Sequence, residues 1–187
     1  LRGRWTMNFM TIITAALAIA TIIITMISAS YYYNDIRRNL MTRAAQSAGF
    51  INRFLNSSYE QFLSASESFV ASFEDKDKLE IQIVSASGTI LASSSSFTEI
   101  GSEPGTEDVG MCLEENRTQA WMGKDLQSGE RVISASAPLY GPHSNLIGCV
   151  RCISPVAVAQ RQIIYIVMAC LLLGLLIAVS LELSNRY

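Results

Sequence analysis

Two long stretches of this chain carry no charge, and they constrain its fold more than any other feature. No charged residue lies between Arg4 and Asp35, and none lies between Arg161 and Glu182. A transmembrane helix needs about 20 mostly apolar residues to cross about 30 Å of hydrocarbon. The sequence therefore predicts two membrane spans, one near each end, with a buried core helix as the alternative for each.

These spans divide the chain into five parts. Residues 1–6 form a cytoplasmic stub, 7–33 and 162–181 are the spans, 34–161 lie between them, and 182–187 begin a second cytoplasmic part. The first span is too long for a signal-peptide core, so we expect a retained anchor. Counts of Lys and Arg near the spans do not settle the orientation, but long loops translocate largely regardless of charge. We therefore expect a multi-pass protein of the cell membrane whose middle region is extracytoplasmic.

The overall charge balance argues against one class of partner. The chain has 14 basic and 16 acidic residues, which gives a formal net charge of -2. Binding to nucleic acid normally requires a basic surface. We therefore expect no nucleic-acid partner.

The middle region has the pattern of an α+β domain. Apolar residues three, four or seven apart predict one long helix over residues 34–73. Short segments with alternating or β-rich character over residues 79–153 predict a five-stranded antiparallel sheet. An insertion at 97–117 interrupts this sheet and is predicted to hold a short helix with Thr106 as its N-cap. The predicted strands are 79–85, 89–95, 118–124, 130–140 and 146–153.

The long predicted helix also suggests an association between two copies of the chain. Its apolar stripe has spacing close to that of a coiled-coil seam. An ordinary helix in a monomer is the alternative, but we expect a homodimer. The stripe consists of Leu40, Ala44, Ser47, Ile51 and Leu55.

Three segments and their order carry a resemblance to a known family. They are Ile83–Ser95 (IVSASGTILASSS), Val132–Leu139 (VISASAPL) and Leu146–Ile153 (LIGCVRCI), between two flanking spans. This arrangement resembles the extracytoplasmic PAS-like, single-Cache sensor domains of bacterial membrane receptors. The likeness is strongest to sensor histidine kinases that respond to citrate, dicarboxylates or divalent cations.

The resemblance implies a function in signalling. The chain would be the input module of a membrane-bound two-component histidine kinase, passing an external stimulus through two transmembrane helices to a cytoplasmic output domain. No kinase or cyclase segment is present in these 187 residues. The alternatives are the sensor region of a diguanylate cyclase or chemoreceptor, and a membrane-anchored interaction protein without signalling output.

The resemblance also implies a binding pocket between the sheet and the insertion. Ser134 and Ser136 share one face of their strand because side chains alternate along a strand. Arg117 and Lys124 lie near the neighbouring strand, where they would suit a carboxylate. We expect an unidentified small polar ligand or a partner protein, with simple exposure to solvent as the alternative. The candidate residues are Arg117, Trp121, Lys124, Ser134, Ser136 and Arg151.

The cysteines and the single histidine do not form a convincing reactive site. Cys149 and Cys152 have the spacing of redox and zinc motifs, but within one strand they would lie about 10 Å apart on opposite faces. Cys112 can pair with one of them in an oxidising compartment, so we expect at most one disulfide, or else buried free thiols. His143 is the sole histidine and falls in a predicted turn. We therefore expect no catalytic residues, metal or cofactor in this chain.

Overall fold

The computed structural model divides the chain into two compact units. One consists of Leu1–Tyr33 with Ala159–Tyr187, and the other is Asn34–Val158. The structure describes residues 2–53, 59–73, 79–126, 128–141 and 144–186.

The order of elements is that of an α+β protein, as the sequence predicts. The helices are α1 (Arg2–Asn52), α2 (Tyr59–Ala71), α3 (Glu107–Glu115) and α4 (Val156–Arg186). The strands are β1 (Glu80–Ser85), β2 (Ile90–Ser93), β3 (Gln119–Lys124), β4 (Arg131–Tyr140) and β5 (Leu146–Pro155). All five predicted strands and the helix of the insertion are confirmed, with ends that differ by at most two residues.

Apolar side chains are exposed along much of α1 and α4. Ile22 is 59% exposed in α1, and Leu172 is 58% exposed in α4. Within the part of the chain that the structure describes, one helical segment, Ala15–Asn52, is long and apolar enough to cross a membrane. Helix α4 contains a shorter apolar stretch, Ile163–Leu176. The first predicted span thus has a structural counterpart of sufficient length, and the second remains a prediction.

The long helix predicted over residues 34–73 is present as two helices. Helix α1 continues from the first unit to Asn52, and α2 begins at Tyr59. At the end of α1, Asn52 Oδ1 accepts a hydrogen bond of 3.1 Å from the backbone N–H of Tyr140 in β4. This contact ties the end of α1 to the sheet. Leu55, a member of the predicted stripe, lies outside the described residues.

The sheet places its last strand at its centre. The strand order is β2-β1-β5-β4-β3, and each neighbouring pair is antiparallel. Close approach of β1 and β5 requires Gly148, because a Cβ there would collide with the Val84 carbonyl oxygen. Strand β5 therefore lies at the centre of the sheet, and it leads directly into α4.

One face of the sheet is apolar and is covered by α1 and α2. Arg43 and Ser47 of α1 line the same cavity as Cys152 of β5, which places α1 over this face. The face itself is made by Ile81, Ile83, Ile133, Ala135, Ala137, Val150 and Cys152. Among the α1 side chains that the structure describes, four are buried within the single chain: Leu40, Ala44, Ala48 and Ile51.

The burial of α1 corrects the interpretation of its apolar stripe. We expected Leu40, Ala44 and Ile51 to form a seam with a second copy, but each is at most 3% exposed within one chain. A sheet face and a partner helix demand the same helical periodicity, so the sequence pattern cannot distinguish them. Assigning this stripe to a dimer seam was therefore wrong.

A charge introduced at Ala44 should consequently unfold the domain instead of only separating two copies. Ala44→Glu places a carboxylate at a site with 0% exposure, and we expect the free energy of unfolding to fall by about 3 kcal/mol or more. Ala45→Glu is the matched control, because Ala45 is exposed, and it should change stability by no more than about 0.5 kcal/mol. Thermal unfolding followed by circular dichroism measures both. Equal melting curves for the two variants would contradict this packing of α1.

Candidate functional site

The second face of the sheet carries a row of polar side chains that crosses all five strands. Ser93, Gln82, Arg151, Ser136 and Gln119 lie side by side in the strand register. Arg151 is at the centre of this row on β5 and is only 1% exposed. A buried guanidinium is costly unless carboxylates and hydrogen-bond acceptors compensate it, so its partners define the site.

Three elements supply the partners of Arg151. Its Nε donates to Asp108 Oδ2 of α3 at 3.2 Å, and its Nη1 donates to Gln82 Oε1 of β1 at 3.0 Å. Its Nη2 lies 3.5 Å from Oδ1 of Asp125, which follows β3. Ser136 Oγ also donates to Asp108 Oδ2, at 2.8 Å. We call Gln82, Asp108, Asp125, Ser136 and Arg151 the Arg151 cluster.

Helix α3 brings Asp108 to the sheet because the helix is amphipathic. Asp108 and Cys112 are four residues apart and so share one side of the helix. Both are fully buried, and Cys112 packs in an apolar cluster with Cys149 and Val84 of the sheet. The helix starts after Thr106 in extended backbone geometry and ends at Asn116 in the left-handed region, φ 53°. The Thr106 side chain makes no capping hydrogen bond, so the predicted cap is present in backbone geometry only. Asp108 lies in the first turn of the helix, where its carboxylate contacts Arg151.

Several buried polar atoms around Arg151 have unused hydrogen-bonding capacity. Asp108 Oδ1, Ser134 Oγ and Thr106 Oγ1 find no hydrogen-bond partner among the described residues, and Arg151 Nη2 has only its ion pair with Asp125. Ser134 lies two residues from Ser136 on the same face of β4, and Thr106 immediately precedes α3. Unpaired buried polar groups are rare because each costs about 1–3 kcal/mol. Their concentration at one place suits a small polar ligand with both donors and acceptors.

A cavity of about 620 Å³ adjoins the cluster on the same face of the sheet. Gln82 and Asp125 contact Arg151 and also line this cavity. Its other walls come from the start of the insertion, including Phe97 and Thr98, and from the turn between β3 and β4. The cavity therefore lies between the sheet and the insertion, where the sequence predicted a pocket.

The cavity is acidic. Glu80, Asp125 and Glu130 contribute carboxylates, and its described lining residues include no Lys or Arg. Glu80 Oε1 accepts hydrogen bonds from Gln82, Ser93 and Thr98 at 2.7, 2.8 and 2.5 Å. Since the charge of Arg151 is already opposed by two carboxylates, this site favours an ammonium or hydroxyl group over a dicarboxylate.

The structure brings together only part of the predicted site. Ser134, Ser136 and Arg151 lie in or beside the cluster, and Trp121 pairs with Ser134 in the register, its ring lying over Gly123. Ser134 and Ser136 are fully buried, so the alternative of solvent exposure is wrong for these two side chains.

Two predicted basic residues lie elsewhere. Arg117 is 70% exposed and forms an ion pair of 2.6 Å with Glu115. Lys124 is exposed, and it points to the opposite face from Trp121 because it lies an odd number of residues away along β3. The structure therefore does not bring Arg117 and Lys124 to Arg151.

Sequence reasoning missed three important residues: Gln82, Asp108 and Asp125. Asp108 offered the clearest signal, because it shares a helix face with the apolar Cys112. A carboxylate on the apolar side of a helix requires a buried partner. Arg151, within the apolar strand LIGCVRCI, was the matching cation.

The cysteines are free and lie on both sides of the sheet. Cys149 pairs with Val84 on the Arg151 side, and Cys152 pairs with Ile81 on the apolar side, as predicted for one extended strand. Burial raises the pKa of Cys152 to about 12, although Arg43 opposes this. A hydrogen bond with Cys112, together with burial, raises the pKa of Cys149 well above its usual value. His143 lies outside the described residues.

A second cavity, of about 510 Å³, lies against the apolar face. Arg38, Arg43 and Asp35 of α1 line it, together with Phe73 and Cys152. It contains none of the predicted site residues. The Arg151 side is the stronger candidate site because Gln82 and Asp125, which contact the buried Arg151, also line a cavity.

The Arg151 cluster should contribute measurably to stability. Arg151→Met leaves two buried carboxylates without their cation, and we expect a loss of about 3–5 kcal/mol in the free energy of unfolding. Adding Asp108→Asn to this variant should restore part of the loss, because one uncompensated charge is removed. Arg117→Met is the matched control and should cost at most about 1 kcal/mol, since its ion pair is exposed. Denaturant unfolding measures all of these, and equal losses at the two arginines would contradict the burial of Arg151.

Comparison with known proteins supports the fold assignment. No family model and no curated protein matches this sequence. Among solved structures, the ligand-binding domain of the Campylobacter jejuni chemoreceptor Tlp3 in complex with L-valine matches with a TM-score of 0.59 and 14% identity, over 80% of this chain and 66% of that one. The ligand-binding domain of the Pseudomonas aeruginosa PAO1 amino acid chemoreceptor PctC in complex with GABA gives 0.55 and 16%, over 77% and 64%.

An extracellular ligand-binding receptor from Desulfohalobium retbaense matches with a TM-score of 0.51 and 18% identity, over 71% of this chain and 24% of that one. The chain thus spans between about a quarter and two thirds of the length of these three structures. At these identities the likeness establishes the fold. The predicted resemblance to PAS-like extracytoplasmic sensor domains is confirmed at that level.

Proposed function

We propose that Asn34–Val158 is the ligand-sensing input domain of a membrane receptor. The observation that carries this proposal is the Arg151 cluster with its adjoining cavity. Buried polar groups without full hydrogen bonding lower the stability of the fold, and a bound ligand would supply the missing hydrogen bonds. The fold, shared with ligand-binding domains of receptors, supports the same interpretation.

The proposed ligand is a small polar molecule with an amine or several hydroxyl groups. Three carboxylates line the cavity and favour a cationic group. Ser134 pairs in the register with Ile153, a lining residue, so its unpaired hydroxyl is a further group that binding would recruit from behind the cavity wall. The structural neighbours are described in complex with GABA and L-valine, which both carry an amine. A partner protein that inserts such a group is the alternative ligand.

The proposed signal passes from α3 to α4 through β5. Asp108 connects α3 to Arg151, and β5 continues into α4 after Pro155. A ligand that competes for Asp108 or Arg151 changes how α3 sits on the central strand. Helices transmit small displacements with little loss, so α4 and α1 can carry such a change across a bilayer.

The proposed protein spans the membrane twice, with the sensor domain outside the cytoplasm. Exposed apolar side chains along α1 and α4 support this topology, since surfaces of this kind require lipid or a partner. A membrane-impermeant thiol reagent applied to intact cells should label a cysteine introduced at Ser94 and not one at Ser184. Labelling at Ser184 with protection at Ser94 would invert the topology.

The proposed output is the histidine kinase of a two-component system. A chemoreceptor is the second candidate, because the solved neighbours include chemoreceptor domains. The sequence after Tyr187 discriminates them, since only a kinase would carry a phosphoacceptor histidine. A homodimer belongs to the proposal, but its contact cannot use Leu40, Ala44 and Ile51 of α1, because these side chains are buried within one chain.

Ligand binding should depend on the unpaired hydroxyl of Ser134. A thermal-shift screen of the purified chain against the common amino acids, linear diamines and small dicarboxylates should find an amine-bearing stabiliser. Ser134→Ala should lower the affinity for it about 5- to 10-fold, the value of one hydrogen bond, without loss of stability. Ser87→Ala, in an exposed turn, is the matched control and should bind normally.

Two outcomes would count against this proposal. Stabilisation by dicarboxylates alone would contradict the assigned ligand chemistry. Equal affinity in the Ser134 and Ser87 variants would remove the Arg151 side as the binding site.

A further inference from the structure

Two cysteines from different elements meet beside the Arg151 cluster. Cys112 of α3 and Cys149 of β5 are both fully buried. They belong to one apolar cluster with Val84, Ile90 and Val109. The neighbouring Cys112 side chain, together with burial, raises the pKa of Cys149 well above its usual value. Helix α3 therefore touches the central strand through a pair of thiols.

The thiol pair is a second contact between α3 and β5, beside the ion pair that joins the same two elements. Cys112 is one helical turn after Asp108, and Cys149 is two residues before Arg151 on the same face of β5. The contacts between α3 and β5 thus include one ionic pair, Asp108 with Arg151, and one thiol pair. The ionic pair can exchange with a ligand, whereas a covalent bond cannot.

We propose that Cys112 and Cys149 form a disulfide that fixes α3 to β5. The oxidant is the disulfide of a thiol–disulfide oxidoreductase, the reagent class of oxidising compartments. One cysteine thiolate attacks that disulfide, forming a mixed disulfide and releasing one thiol. The second thiolate attacks the mixed disulfide, which forms the bond between Cys112 and Cys149 and releases the second thiol of the oxidoreductase. Two protons and two electrons leave the domain for each bond formed.

Cys152 is excluded as a partner by its position. It lies on the apolar face of the sheet, opposite Ile81, while Cys112 and Cys149 lie on the other face. Because a disulfide requires Cα atoms within about 7 Å and side chains directed at each other, Cys152 stays a thiol. It serves as an internal control within the same strand.

The disulfide would determine how far a ligand can move α3. With the thiols reduced, α3 is held to β5 mainly by the Asp108 carboxylate and by packing. With the disulfide formed, α3 stays on β5 even when a ligand displaces Asp108 from Arg151. This consequence rests on the proposed sensing function, whereas the bond itself rests only on the packing of the two thiols and on the proposed location outside the cytoplasm.

Mass spectrometry of the full chain tests the bond. The chain is refolded in detergent with a mixture of oxidised and reduced glutathione, denatured in iodoacetamide without reductant, and digested. We expect a peptide that joins Cys112 to Cys149, with Cys152 alkylated. Alkylation of both Cys112 and Cys149, or a bond from either one to Cys152, would overturn the proposal.

Thermal unfolding gives a second test. If the two thiols are only adjacent and not bonded, adding a reductant should leave the melting temperature unchanged. Reduction should lower the Tm of the oxidised chain by about 5 °C or more. The Cys152→Ala variant should respond equally, and the Cys112→Ala/Cys149→Ala variant should not respond. An unchanged Tm in the unaltered chain would contradict the bond. A disulfide found in a chain that binds no ligand would leave this inference intact and remove the proposed function.

Discussion

The buried charge of Arg151 is the constraint on which the Asn34–Val158 unit depends. A guanidinium with 1% exposure in the central strand needs carboxylates or hydrogen-bond acceptors on several sides. Asp108 supplies this from α3, Gln82 from β1 and Asp125 from the segment after β3. The position of the insertion over the sheet is therefore set by electrostatics as much as by apolar packing. Loss of any one partner leaves a charge or polar group buried without compensation.

The burial of Arg151 and its partners makes the two faces of the sheet chemically different, one apolar and one polar. The apolar face packs on α1 and α2 and provides the stability of the unit. The Arg151 face has unpaired buried groups and an acidic cavity, so it retains capacity to bind something else. Strand β5 has side chains on both faces and continues directly into α4, and the proposed signal uses this continuity. This arrangement is what makes a sensing function physically reasonable.

Local patterns predicted most of the fold, and tertiary contacts explain the rest. Alternation of apolar and polar residues located all five strands, and Thr106 marked the start of α3. The stripe of α1 was misassigned because periodicity does not identify the covering surface. Lys124 was misplaced because a shift of one residue reverses the face of a strand. Asp108 was missed because its partner lies far away along the chain, and only the folded sheet brings the two together.

The nitrogen NMR signal of the Arg151 Nε–H group tests the central claim most directly. A buried, ion-paired guanidinium exchanges this proton slowly with water, and Arg151→Lys identifies the signal by removing it. We predict a protected Nε–H signal that shifts when an amine-bearing stabiliser is added. A signal that exchanges as fast as that of the exposed Arg117, or that stays unmoved by every compound that stabilises the domain, would contradict the account.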